Sequence, residues 1–233
     1  MALVSAKAQF DDFYAERFLH PHFASVGEGT RFTNPWHVEV FGPSVYIGKH
    51  VHISATSDLK VRLSVWSAKP GLGRVRIGDY SVINPGARIA STCDIDIGNN
   101  ALFATNVYIT DGDSHDPYDR VFNSGKYAPV KIEDNVWLGE RVIVCKGVTI
   151  GKNSVVGAGA VVVRDIPSHC VAVGNPARPV RELDPNASFV SRQRALQENS
   201  GYLDGLRALE KEMFRDNTLR GWLRYLLAPR RGD

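Results

Sequence analysis

An aliphatic residue recurs at every sixth position through the second half of the chain, and this period limits the possible folds more than any other feature. From residue 132 onward the positions are Ile132, Leu138, Val144, Ile150, Val156 and Val162. The same spacing starts at Ile77, Ile83 and Ile89, slips by two residues at Ile95, and has weaker copies around Val26, Phe32, Val38 and Ile47. A period of six matches neither the 3.6 residues of a helical turn nor the alternation of an amphipathic strand.

Very short strands joined by tight turns do match this period, with each aliphatic side chain pointing inward. Glycine follows the aliphatic residue in LGERVI, IGKNSV and VGAGAV, where a turn needs backbone angles that other residues rarely adopt. Stacked coils of this kind bury a continuous aliphatic ladder, as solenoids do. The sequence therefore predicts a mainly β fold, a parallel β-helix over residues 26–184 with an interrupting loop at 110–129.

The two ends of the chain lack the six-residue period. Residues 1–25 carry a helical stripe of Phe10, Phe13, Tyr14 and Phe18, which predicts a short amphipathic helix. Residues 185–233 carry two more apolar stripes, the second running from Leu219 to Leu227 with arginines on its other face. We expect this C-terminal helical extension to dock on the solenoid or on a neighbouring subunit. A second interpretation is a weak peripheral contact with an anionic membrane through the basic helix.

Composition excludes several other classes of protein. The 233 residues carry a net charge of only +3, too little to indicate nucleic-acid binding. The longest uncharged apolar run, from Val155 to Val163, is too short to span a bilayer. Three cysteines without CxxC spacing argue against a disulfide framework or a zinc site, and the N-terminus lacks the apolar segment of a signal peptide. We therefore expect a cytoplasmic protein.

The loop TDGDSHDPYDR interrupts the ladder and places His115 among aspartates. A long excursion from a compact repeat usually carries function. A calcium loop is excluded because Asp116 stands where glycine is required and Phe122 where glutamate is required. A zinc site of three histidines is disfavoured because His50 and His52 lie far upstream, so we expect no metal. The chemistry that remains is proton transfer by His115, with Asp113 or Asp116 orienting its ring.

The C-terminal half offers a surface for an elongated, phosphate-bearing ligand. Small side chains in VGAGAVV would let a ligand approach backbone N–H groups closely. Arg178 and Arg181 follow where the coils end, and guanidinium groups suit phosphate oxygens. Coenzyme A has the required shape.

Between about Ile77 and Leu183 the chain contains IEDNVWLGERVIVCKGVTIGKNSVVGAGAVVVRDIP followed by VGNPARPVREL. On these residues the segment closely resembles the hexapeptide-repeat acyltransferases, in particular the galactoside, maltose and polysaccharide O-acetyltransferases. The resemblance implies a left-handed coil, a homotrimer, and acetyl-CoA as donor, bound with the acceptor in clefts between neighbouring β-helices. Handedness follows from the resemblance alone, because the general crossover rule favours a right-handed coil.

The resemblance also assigns roles to individual residues. His115 corresponds to the catalytic base, which takes a proton from the acceptor hydroxyl. Asn106 and Trp137 correspond to residues at the acceptor and the thioester, and we group Asp113 with these acceptor-binding residues. Positions expected to contact the donor are Gly139, Glu140, Ala158, Val163, Arg178 and Arg181, with N–H groups near Gly139 expected to stabilise an oxyanion.

The sequence thus predicts an acyl-CoA-dependent O-acetyltransferase acting on a carbohydrate hydroxyl of a sugar or polysaccharide precursor. The nearest alternative is an N-acetyltransferase of an amino-sugar nucleotide, which would share fold and donor. A non-catalytic β-helix scaffold is the alternative from another class.

Overall fold

The computed structural model describes residues 2–67, 71–121 and 125–198, together with positions 201, 205, 208, 209 and 212. Its strands, numbered in chain order, form three sheets. Sheet A contains β1 (Ser25–Val26), β4 (Val45–Ile47), β7 (Val75–Ile77), β10 (Ile95–Ile97), β13 (Val130–Ile132) and β16 (Thr149–Ile150). Sheet B contains β2 (Arg31–Thr33), β5 (His52–Ser54), β8 (Val82–Ile83), β11 (Leu102–Phe103), β14 (Trp137–Leu138), β17 (Val155–Val156), β19 (Cys170–Val173) and β20 (Arg178–Glu182). Sheet C contains β3 (Val38–Phe41), β6 (Val61–Val65), β9 (Arg88–Ser91), β12 (Tyr108–Thr110), β15 (Ile143–Val144) and β18 (Val161–Val162).

The chain visits the three sheets in the same order on every coil, from A to B to C and back to A. Within each sheet, neighbouring strands come from successive coils and pair in parallel, whereas β20 turns back antiparallel on β19. The coil therefore has a triangular cross-section, and we call its three turns the AB, BC and CA corners. This parallel solenoid confirms the mainly β fold predicted from the six-residue period.

The aliphatic ladder points into the prism. Every member from Ile132 to Val162 is at most 1% exposed, and Ile77, Ile83 and Ile89 are equally buried. The second column, four residues further along each repeat, is also buried and includes Val136, Val142 and Ala160. Because parallel strands stack 4.7–4.9 Å apart, the side chains of successive coils contact one another along the whole axis.

Asparagine occupies many of the corners for a conformational reason. Asn100, Asn135 and Asn153 hold the AB corner with φ between 57° and 58°, and Asn106 holds the BC corner with φ 61°. Among residues with a side chain, asparagine tolerates this left-handed region best. The corners therefore keep a tight turn without requiring glycine on every coil.

A helical segment precedes the first coil, as predicted for residues 1–25. Helix α1 (Ala2–Tyr14) continues into a π-helical turn (Ala15–Leu19) and a 3-10 turn (His20–His22). Leu19 and Phe23 join the core, where the Phe23 ring lies 5.7 Å from that of Phe32. The segment therefore covers the open end of the apolar ladder.

The C-terminal helix is seen in part, as α2 (Arg192–Glu198). It lies against the AB corner, where the Gln193 N–H donates to Oδ1 of Asn100 at 2.9 Å and the Arg192 guanidinium donates to the carbonyl of His50. The stripe from Leu219 to Leu227 lies outside the described residues. Neither α1 nor α2, the helices of the described part, is long and apolar enough to cross a membrane.

Candidate active site

The loop that carries His115 leaves the prism at the CA corner between β12 and β13. Its first residue, Asp111, is fully buried. The Asp111 carboxylate accepts hydrogen bonds from the Ser91 hydroxyl at 2.7 Å, from the Thr92 N–H at 2.6 Å and from the Cys93 N–H at 2.9 Å. These donors belong to the previous coil, so Asp111 fixes the point at which the loop departs.

The base of the loop is a short antiparallel ladder. Gly112 bridges Tyr127, the Asp113 N–H donates to the Lys126 carbonyl at 2.9 Å, and the Ala128 N–H donates to the Asp111 carbonyl at the same distance. The outgoing and returning chains are thus joined before His115 is reached.

Lys146 attaches this base to the following coil. Its Nζ lies 2.7 Å from Oδ1 of Asp113, and the neighbouring Gly147 N–H donates to the Ala128 carbonyl at 3.0 Å. At least one oxygen of Asp113 is therefore engaged by Lys146, so the role in which Asp113 orients the His115 ring remains a prediction.

His115 itself is exposed beyond this base. The Asp116 carboxylate turns back onto the loop and accepts from the N–H groups of Tyr118 at 2.9 Å and Asp119 at 3.2 Å. These two hydrogen bonds hold the pKa of Asp116 below its ordinary value. Asp116 thus shapes the chain on the C-terminal side of the histidine and stays ionised at neutral pH.

Several residues expected to contact the donor come together along the BC corner. The Gly159 N–H donates to the Glu140 carbonyl at 2.7 Å, which stacks Ala158 above Glu140, and the Arg141 N–H donates to Thr105, next to Asn106, at 3.0 Å. At the top of this column, the exposed strand β20 begins with Arg178, opposite Val173. Asn106, Glu140, Ala158 and Arg178 therefore follow one corner of the prism.

The other predicted residues lie on neighbouring faces. Trp137 is 51% exposed on the outer face of sheet B, between Leu102 and Val155. Arg181 lies on the same sheet, opposite Val171. Val163 is 46% exposed and directly follows β18, so it belongs to the CA corner, two coils beyond the loop.

The backbone N–H groups expected to meet a ligand are largely used by the coil itself. The Gly139 N–H donates to the Val156 carbonyl at 2.8 Å, so it is not available to an oxyanion. In VGAGAVV the N–H groups of Gly157, Gly159 and Val161 donate to carbonyls at 2.7–3.0 Å. These particular N–H groups are therefore engaged within the coil, and a role for other N–H groups near Gly139 remains a prediction.

Val163 shares the CA corner with the loop, but one chain does not bring the histidine together with the other residues expected to contact the donor. In a triangular prism the CA corner lies opposite sheet B, which carries Trp137 and Arg181. His115 is only four residues from the buried Asp111, which is too short a tether to pass around the prism. The geometry instead leaves two half-sites on different sides of the molecule.

The described part of the chain offers no competing centre elsewhere. Burial raises the pKa of Cys93 and Cys145, which flank the loop, so both remain thiols at neutral pH. Among the described residues, no three His, Cys, Asp or Glu side chains approach closely enough to hold a metal ion. A groove of about 510 Å³ on sheet A passes Tyr46, Arg74 and Arg76, but ion pairs to Asp94 and Asp96 engage both arginines.

Sequence reasoning missed Asp111 and Lys146 as the residues that fix the loop. Asp111 was indistinguishable from the other loop aspartates, and Lys146 resembled an ordinary surface charge. A register of the coils would have identified both, because it places Ser91 one coil before Asp111 and Lys146 one coil after it.

Comparisons with known proteins identify relatives of this chain. Residues 129–164 match the family described as bacterial transferase hexapeptide (six repeats). A galactoside O-acetyltransferase of Escherichia coli is 34% identical over 173 residues, which are 72% of this chain and 68% of that protein. A galactoside O-acetyltransferase of Lactococcus lactis is 40% identical over 111 residues, 47% of this chain and 54% of that protein. The chain thus spans only about half the length of some of its curated relatives.

A maltose O-acetyltransferase of Clostridium difficile superposes with a TM-score of 0.47 at 26% identity, covering 78% of this chain and 89% of that one.

Proposed function

Because this chain belongs to the family of hexapeptide-repeat acetyltransferases, we propose that it transfers the acetyl group of acetyl-CoA to a hydroxyl group of a carbohydrate. The coil is left-handed in this proposal, as the family likeness implies. The relatives named for galactoside and maltose acetylation favour sugar hydroxyls as the acceptor class.

The observation that carries the proposal is the separation of two half-sites. One half-site is the exposed His115 on its fixed loop at the CA corner. The other is the strip of Asn106, Glu140, Ala158 and Arg178 along the BC corner, with Trp137 beside it. A second copy of the chain, with its BC corner against the loop of the first, completes the site. Closed symmetry then repeats this contact around a homotrimer.

His115 acts as the general base in the reaction. An imidazole nitrogen takes the proton of the acceptor hydroxyl while the oxygen attacks the carbonyl carbon of the thioester. The new C–O bond forms, the C–S bond breaks, and its electron pair leaves with sulfur. The imidazolium then returns the proton to the thiolate, giving CoA and the acetyl ester. Direct transfer is consistent with the raised pKa of Cys93 and Cys145, which makes both thiols poor nucleophiles.

The donor surface fits an elongated, phosphate-bearing substrate. Ala158 leaves room along the BC corner, and the exposed Arg178 and Arg181 at its end suit phosphate oxygens. The pantetheine arm lies along the corner in this arrangement, and the adenosine phosphates reach β20.

The first experiment measures release of the CoA thiol from acetyl-CoA with glucose, maltose, galactosides and amino sugars as acceptors. Stimulation by a neutral sugar is the expected result. Stimulation by amino sugars alone would replace O-acylation with N-acylation, and no stimulation by any acceptor would favour a scaffold. His115→Ala should lower kcat about 10²–10⁴-fold and leave the affinity for CoA nearly unchanged.

A mixing experiment tests the division of the site between copies. His115→Ala and the double variant Trp137→Ala/Arg178→Ala are each expected to be nearly inactive. When both are expressed together in equal amounts, about a quarter of the interfaces in a cyclic oligomer pair an intact histidine with an intact donor half-site. Activity should therefore recover to about that fraction of the wild-type value. Mixing His115→Ala with His115→Gln is the control, and recovery no better than this control would place the whole site within one chain.

A further inference from the structure

Two exposed aromatic rings stack on each other at the CA corner, the corner from which the His115 loop departs. The centroids of Phe41 and Trp66 are 4.2 Å apart and their planes differ by 25°. Phe41 is 53% exposed and Trp66 is 60% exposed. Neither ring contributes to the aliphatic core, so the fold of the coil does not account for them.

The register of sheet C connects these rings with the loop. Phe41 pairs with Ser64, Ser64 with Ala90, and Ala90 with Thr110, the last residue before the loop. The Trp66 N–H donates to the Ser91 carbonyl at 2.7 Å, and the Ser91 hydroxyl donates to Asp111. Trp66 therefore lies two coils below the base of the loop, a distance of about 10 Å.

The surface between the rings and the loop is shallow and polar. Ser64, Ala90 and Thr110 are small and half-buried, so they form its floor. The next column along the strands presents the Arg88 guanidinium, 5.2 Å from the centre of the Tyr108 ring. Hydroxyl and guanidinium groups thus border a path that starts at an aromatic face and ends at the loop.

We propose that Phe41 and Trp66 form a stacking platform for a sugar ring of an extended acceptor whose reacting hydroxyl lies at His115. This inference rests on the proposed function and names its substrate class as oligo- or polysaccharide. The apolar C–H face of a pyranose packs on an indole or phenyl ring, and its hydroxyl groups bond to the polar border.

The aromatic patch has the size of a sugar ring and lies two coils below the loop at which the second copy is proposed to bind. Two rings surrounded by charged and hydroxyl side chains are far smaller than the roughly 800 Å² that each partner buries in a stable interface. The neighbouring Glu39 is engaged by Arg62 at 2.7 Å, so charges rather than apolar groups continue the surface.

The test compares short and long acceptors of the same sugar: maltose with maltopentaose, galactobiose with galactopentaose, and chitobiose with chitopentaose. For the series that is acetylated, Trp66→Ala should raise KM for the longer acceptor about tenfold. KM for the shorter acceptor and kcat should each change by less than about twofold. Trp66→Phe keeps an aromatic ring and should bring KM for the longer acceptor back close to the wild-type value. Phe13→Ala is the matched control, because Phe13 is an equally exposed aromatic residue, 58% accessible, on α1 before the first coil.

Binding without acetyl-CoA separates this inference from the proposed function. Calorimetric titration of the full-length protein with each pentasaccharide should show binding to at least one, weakened about tenfold by Trp66→Ala, even if no acetyl transfer occurs. The platform is overturned if no pentasaccharide binds, or if Trp66→Ala affects short and long acceptors equally. It is also overturned if sedimentation shows that Trp66→Ala changes the oligomeric state, since the rings would then lie between copies.

Discussion

Lys146 Nζ lies 2.7 Å from Oδ1 of Asp113, two residues before His115, and this contact joins the loop to the following coil. Both side chains are partly exposed, with 33% of Lys146 and 41% of Asp113 accessible. An ion pair of this kind contributes less than about 1 kcal/mol to the free energy of unfolding. Its value lies in holding the base of the loop in one position.

Lys146→Met should therefore lower kcat about 10- to 100-fold, because a displacement of about 1 Å at a reacting group has that effect. KM for acetyl-CoA and the melting temperature should hardly change. Lys146→Arg keeps the charge and should recover most of kcat. If the Arg variant is as slow as the Met variant, or if both simply melt earlier, the positioning role is wrong.

Asp111→Asn should destabilise the fold by about 1–3 kcal/mol, measured by denaturant unfolding. The amide group keeps the shape of the carboxylate, but it presents a donor to the three donors of Ser91, Thr92 and Cys93. Asp58→Asn is the control, since Asp58 accepts from Thr56 at an exposed position and its loss should cost less than about 0.5 kcal/mol. Equal losses in the two variants would contradict the role of the buried carboxylate.

The buried His52 should make the free energy of unfolding depend on pH. Burial, with smaller contributions from Arg192 and Arg31, lowers the pKa of His52 to about 4. In the unfolded chain the pKa of His52 is near 6.5, so as the pH falls the unfolded state binds the proton before the folded state does. The contribution of His52 to stability is therefore complete above pH 6.5 and is lost as the pH falls toward 4.

Between pH 6.5 and pH 4, the free energy of unfolding of the wild-type protein should therefore fall by up to about 3 kcal/mol more than that of the His52→Gln variant. Glutamine can replace the hydrogen bond between His52 and Thr33, which is 3.0 Å long. His22→Gln, which makes the same substitution at an exposed histidine, is the control. Parallel slopes for the wild type and His52→Gln would refute this prediction.

Gly139→Ala should destabilise the fold by about 1–3 kcal/mol, because a Cβ there would come within 2.6 Å of the Ala158 backbone nitrogen on the next coil. The neighbouring Glu140→Ala alters an exposed side chain and should leave the melting temperature nearly unchanged. A stable Gly139→Ala variant would show that the coils can separate at this corner, contrary to the close stacking.

The sequence by itself determined the repeating part of this protein. Each inward position, such as Ile132 or Leu138, follows from a six-residue pattern that is local, because one short strand and one turn repeat the same contacts. The interruption at His115 could also be predicted from the sequence, because Asp, Gly and Pro cannot continue the aliphatic ladder. The helical stripe before the first coil was visible for the same reason.

The tertiary structure alone decided how these parts meet. Asp111 contacts Ser91 and Asp113 contacts Lys146 only because stacked coils bring residues about 20 to 33 positions apart into contact. Stacking also engages the Gly139 N–H in a hydrogen bond to the next coil, although the local motif had suggested that this group was available to an oxyanion. The closure of three sheets put His115 and Trp137 on opposite sides of the prism, a relationship that depends on the path of the whole coil and not on any short stretch of sequence.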